Sequence, residues 1–192
     1  MQPITDAVDE IVTPKPVPLT LTRNRMLEKF ITSCRWFKSA RTAMEHKGRC
    51  HCGNVTTSLR ITSGPGETPL RSCACSFCRM HGTRTVSDPD GSFEMWARDW
   101  SLVEPYRFGT KTADYLICRK CGAYIAAVCE TPSGTRAVVN INCFDDRAEF
   151  SQPPYGTDYE GEISEARLSR RAAKWMPAII HWPDSSLGAA KR

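Results

Sequence analysis

The sequence predicts a mostly β domain held together by metal, with a short helical segment on either side. Three observations carry this. Ten of the 192 residues are cysteine, and seven of those fall in three tight clusters. Between roughly 47 and 146 the chain runs as short alternating or β-branched stretches broken by Gly and Pro. Helical periodicity appears only outside that stretch, near 23–44 and 162–176.

Taken in order, residues 1–20 hold four prolines and mixed charges and read as an extended lead. Leu27, Phe30, Ile31, Cys34 and Phe37 then form one helical stripe, with a basic face of Arg23, Arg25, Lys29, Arg35, Lys38 and Arg41. The expectation is a helix that docks on the domain or extends loosely, since Asp6, Asp9 and Glu10 argue against a targeting segment. Met44, followed by EHKGRCHCG, also looks like a natural start, which makes 1–43 an N-terminal extension and 44–150 the domain proper. Val55, Thr57, Leu59 and Ile61 alternate as a half-buried strand should, and SGPGETP at 63–69 reads as a loop. Further strands are expected at 93–97, 115–118, 124–129 and 136–142. In the tail, 151–192, a helix over 162–176 carries early Glu and late Arg and Lys, stops at Pro177, and shows Ile163, Ala166, Leu168, Ala172, Trp175 and Met176 on its apolar side.

Composition narrows the function classes. At 41% hydrophobic and 24% charged the chain is ordinary for a folded protein. No run approaches the ~18–20 apolar residues of a membrane span, and no apolar leader follows the start. The net charge of +5 is concentrated in residues 1–43, which carry seven Lys/Arg against four acids and leave +2 for the rest. Seven thiolates on two zinc ions would take that remainder to about −1, too weak a field to attract a nucleic acid. Cysteines one or two residues apart bond poorly to each other but converge easily on a metal, so the expected setting is the reducing cytoplasm.

The clusters differ in kind. Cys50 and Cys52 (C-x-C-G) and Cys118 and Cys121 (C-x-x-C-G) each supply two ligands, and a closed tetrahedral site needs both pairs. Such a site pins distant strands and contributes folding free energy directly. Cys73, Cys75 and Cys78 offer three thiolates from six residues, leaving a fourth position open. Three thiolates make zinc a weak Lewis acid, better suited to holding an incoming thiol as thiolate. The competing reading closes the site with His81, His51 or Cys143. Two zinc ions per chain are expected.

GRCHCGNV, CACSFCRMHG, YRFGTKTADYLICRKCGAY and VVNINCFDD, in that order over about 47–150, resemble the glutathione-dependent formaldehyde-activating enzyme family, which includes centromere protein V. The resemblance implies an Mss4-like β-tent fold, a structural zinc on Cys50, Cys52, Cys118 and Cys121, and a catalytic zinc on Cys73, Cys75 and Cys78. It implies a carbon–sulfur lyase joining formaldehyde and glutathione as S-(hydroxymethyl)glutathione. Ile117 stands where the family often has Phe, and residues 1–43 have no counterpart in most members.

Cys34, Cys129 and Cys143 are expected in packing, Cys143 on a strand near the metals. Arg71, Arg79 and Arg84 flank the reactive cluster as loop charges or as a clamp for the carboxylates of glutathione. Asn140 and Asn142 face either a peptide-like ligand or local backbone. No general base stands out, with His81 the one candidate. The alternative to the enzyme is a non-catalytic zinc module for a protein partner, and a cytoskeletal or chromatin role is a third reading that the short mixed N-terminus does not favour.

Overall fold

The computed structural model describes residues 44–183. The expected N-terminal helix and Cys34 therefore lie outside the described residues. Strands β1 (Met44–Arg49), β2 (Val55–Ile61) and β5 (Ser92–Ala97) form one antiparallel wing. In β2, Val55, Thr57, Leu59 and Ile61 are buried while Thr56 and Arg60 are exposed, the alternation that the sequence predicts. Four later strands make a meander: β6 (Val103–Tyr106), β7 (Asp114–Cys118), β8 (Tyr124–Thr131) and β9 (Gly134–Asn140).

The expected strand over 136–142 ends two residues early. Asn140 accepts a hydrogen bond from the Asn142 amide, turning Ile141–Cys143 into a 3-10 turn. Two short pieces with no periodicity of their own, β3 (Arg71–Cys73) and β4 (Thr85–Val86), continue the sheet past β9. β10 (Tyr155–Thr157) pairs with β3 in parallel. A one-turn helix, α1 (Ser76–Met80), follows β3.

The tail departs most from expectation. Helix α2 spans Ser164–Lys174, and residues 176–180, of which the expected helix includes only Met176, form β11 (Met176–Ile180). This strand runs parallel to β5 and antiparallel to β9, so it joins the first wing to the rest of an eleven-stranded mixed sheet. The predicted apolar side is found in part, with Trp175 and Met176 buried and Leu168 and Ala172 half-buried. Ile163 and Ala166 are exposed, whereas Arg171 is buried, donating to the Thr112 carbonyl and hydroxyl with its guanidinium 4.7 Å from the Trp175 ring. A buried cation needs such partners, and Thr112 and the indole face supply them.

The main core gathers Leu59, Phe93, Leu116, Ile125, Phe144 and Phe150. A second cluster of Ala113, Ala127, Cys129, Val138 and Trp175 lies under α2, and a third joins Phe77 and Tyr124 to Cys78. Among the described residues no helix is long and apolar enough to cross a membrane.

Candidate functional site

The sulfurs of Cys50, Cys52, Cys118 and Cys121 all lie within 4.8 Å of one another. Cys50 leaves the end of β1, and Gly53 closes that turn at φ 73°. Cys118 ends β7, and Gly122 turns the chain at φ 74° before β8 begins. Both left-handed positions suit glycine and let two thiols on each turn face the same point. Cys50 and Cys52 sulfurs are 3.5 Å apart, and Cys52 and Cys118 sulfurs 3.6 Å apart. A tetrahedral zinc with arms of ~2.3 Å would set its sulfurs about 3.8 Å apart, so the group fits that ion.

Cys73, Cys75 and Cys78 likewise lie within 4.8 Å of one another, and no fourth His, Cys, Asp or Glu joins them among the described residues. Cys73 comes from β3; Cys75 caps α1, its sulfur accepting from the Cys78 amide at 3.4 Å; Cys78 sits inside the helix. One helical turn thus folds three thiols onto a single face. His81, the expected closing ligand or base, is held elsewhere: its Nδ1 is 2.9 Å from the Phe77 carbonyl and its ring packs on Phe77 at 4.2 Å. His51 lines a cleft beside the four-cysteine group, and Cys143 lies in its 3-10 turn donating to the Tyr124 carbonyl.

Charge is distributed unevenly within both groups. Hydrogen bonding from the Cys78 thiol pulls Cys73 down to about 5, while that sharing, with burial, pushes Cys78 up. Burial raises Cys75. In the other group burial raises Cys118 to about 12; it acts on Cys121 too, but the Ala123 and Cys52 amides and the neighbouring thiols outweigh it and bring Cys121 to about 6. In each group neighbouring donors thus favour the ionised form of one thiol, the form a metal requires.

Cys50 and Cys52 line a cleft of about 600 Å³. The three-cysteine group forms part of the wall of a cavity of about 690 Å³. Arg71 and Arg79 also line it, and Arg71 Nη2 and Thr157 Oγ1 are buried without a hydrogen-bond partner among the described residues. Arg84 is not part of it: its guanidinium donates to Asn142 and to the Phe150 and Arg147 carbonyls. Asn140 donates to the Tyr124 carbonyl and Asn142 to that of Gly82, so both amides serve local backbone. Cys129 is buried in packing as expected.

The opposing lining comes from residues that the sequence pattern leaves on a solvated helix face. Arg167, Arg170 and Arg171 of α2 reach this cavity. Arg170 makes a paired contact with Glu162 at 2.8 and 2.7 Å and lies 3.6 Å from the Tyr159 ring centre. One signal was present in the sequence: Arg171 and Trp175 are four apart, the spacing at which helical side chains meet.

No protein-family model matches the chain. Among solved structures, a crystal structure of a Rhodobacter sphaeroides protein from a structural-genomics programme is 28% identical, over 58% of this chain and 99% of that one, with a TM-score of 0.43.

Proposed function

We propose that the chain is a zinc enzyme of the glutathione-dependent formaldehyde-activating type, a carbon–sulfur lyase with an Mss4-like fold that makes and breaks thiol adducts of aldehydes. The observation that carries this is the position of the three thiols of Cys73, Cys75 and Cys78 on the wall of a cavity of about 690 Å³. A cleft of about 600 Å³ also adjoins Cys50 and Cys52, so what supports ligand exchange at the three-cysteine group is that space together with the lack of a fourth protein ligand among the described residues.

Cys73, Cys75 and Cys78 would hold one zinc ion, and Cys50, Cys52, Cys118 and Cys121 a second. At the three-cysteine site zinc supplies an exchangeable position that keeps an incoming thiol ionised. The chain's own groups orient that thiol. Arg71, two residues before Cys73 on the same strand face, offers its unpartnered Nη2 to a carboxylate of the thiol-bearing molecule, and Thr157 Oγ1 offers a second donor. Phe77 packs against Phe108 at 5.3 Å and Tyr115 at 4.9 Å, shielding the cysteines from water on the helix side. In the reaction the sulfur lone pair forms the C–S bond and the C=O π pair moves to oxygen. That oxygen takes up the proton that the thiol released.

The test is two-dimensional exchange NMR on glutathione and formaldehyde with catalytic amounts of zinc-loaded protein. The expected outcome is faster interconversion of free glutathione and its hydroxymethyl adduct. An unchanged rate with two zinc ions bound would point to a binding module instead.

A further inference from the structure

The cavity's lining is divided by chemistry. Two of its unpartnered polar donors, Arg71 Nη2 and Thr157 Oγ1, belong to β3 and β10 beside Cys73. The cations of α2 are only partly engaged: Arg170 pairs with Glu162, Arg171 with Thr112, and Arg167 with the Tyr159 and Glu162 carbonyls, while Arg167 Nε and Arg171 Nε have no hydrogen-bond partner among the described residues. The remaining lining mixes exposed polar residues, among them Thr110, Asp158 and Glu160, with a buried apolar floor. Ala127 and Val138 face each other across β8 and β9, Trp175 closes α2, and Tyr115 and Phe108 complete the surface. Ala127, Val138 and Trp175 are 1%, 8% and 5% exposed, so this surface is part of a packed cluster and does not collapse into the space.

A one-carbon aldehyde places no atoms on such a surface. Water there would meet few polar partners, so a hydrocarbon group that displaces it gains the burial free energy of its own surface as well. Continuity with the cysteines decides the occupant, because any group joined to the reacting sulfur at Cys73, Cys75 and Cys78 enters the same cavity. We infer that the electrophile this site takes is an aldehyde bearing a hydrocarbon chain or ring, whose apolar group lies on Phe108, Tyr115, Ala127, Val138 and Trp175. This rests on the thiol-adduct reading above and names its substrate class. The balance is that of a hemithioacetal: thiol and aldehyde join through a new C–S bond, the C=O π bond breaks, and the thiol proton ends on the hydroxyl.

Stable thioethers test this without turnover. S-Methylglutathione and S-hexylglutathione share one peptide and differ by five methylenes. In calorimetric titration of the zinc-loaded full chain, the hexyl compound should bind at least about tenfold more tightly, equivalent to about 1.4 kcal/mol. Ala127→Leu, which fills the floor, should bring the ratio of the two affinities towards one. Phe108→Ala, a change at a half-buried ring, should lower the same ratio and guards against a misfolded Ala127→Leu. Equal affinities for the two thioethers, or a hexyl preference that survives both substitutions, would overturn the inference. The failures separate: faster exchange with formaldehyde but no hexyl preference removes this inference alone. A hexyl preference with no exchange for formaldehyde or hexanal removes the enzyme reading and leaves the apolar subsite.

Discussion

The four-cysteine and three-cysteine groups use the same side chain in the same spacing, yet they do different mechanical work. The first takes Cys50 and Cys52 from the turn after β1 and Cys118 and Cys121 from the turn after β7, bringing together segments 66 residues apart at Cys52 and Cys118. The second takes all three thiols from one strand end and one helical turn, and spends its location on a cavity. What separates the two groups is how many distant segments their cysteines come from and whether a fourth cysteine completes the set, more than which side chain they use.

The largest expected effect breaks the staple. Cys118→Ser removes a fully buried ligand at the junction of β7 and the following turn. Structural zinc contributes on the order of 10 kcal/mol of apparent binding free energy, comparable with the ~5–15 kcal/mol stability of a whole domain. The variant should lose its cooperative thermal transition and its soluble yield, as followed by circular dichroism and elemental analysis.

Cys75→Ser sharpens the contrast. Serine at this position still accepts the Cys78 amide that caps α1, so the local turn survives. The protein should keep its fold, retain about one zinc ion, and lose thiol-dependent exchange. If it unfolds as Cys118→Ser does, the two groups are both structural and the contrast collapses.

A smaller effect probes the cavity's other wall. Hydrogen bonding from Arg170 holds the Glu162 carboxyl below its ordinary range. A carboxyl lowered on folding adds stability above its unfolded pKa, and that stability is lost as pH falls through the lowered folded value. Glu162→Gln should therefore cost about 0.2–1 kcal/mol near neutral pH, the usual range for a solvent-accessible pair. The difference from the parent should shrink in acid, below about pH 4 where free carboxyls titrate. Denaturant titrations at pH 7 and pH 3.5 check this, and an equal difference at both values would contradict it.

How much of this was legible in the sequence follows the same division. The cysteine groups could be read from spacing, because thiols one or two residues apart on a tight turn, with Gly53 or Gly122 following in the four-cysteine group, have few other directions to face. β2 and the 63–69 loop were legible for a similar reason, each being a local pattern in sequence. β3, β4 and β10 were not, since two or three residues carry no periodicity and are strands only because a neighbour pairs with them. β11 was hidden behind Pro177, which correctly ends the helix but then pairs opposite Arg136. The cavity was the least visible feature. It draws on β3, α1, β7, β8, β9, β10 and α2, and its arginine wall depends on Arg171 finding Thr112 some 59 residues away.

The place of β11 also has a consequence for how the molecule is made. Residues 176–180 leave the ribosome after both strands they lie between, β5 and β9. Until then those two strands present open backbone edges to each other across an empty slot, and to any neighbouring nascent chain. The sheet is closed by its latest-born strand, so the zinc staple between the first and later turns can form well before the architecture is sealed. A chain stalled after α2 would leave the β5 and β9 edges open and prone to aggregation.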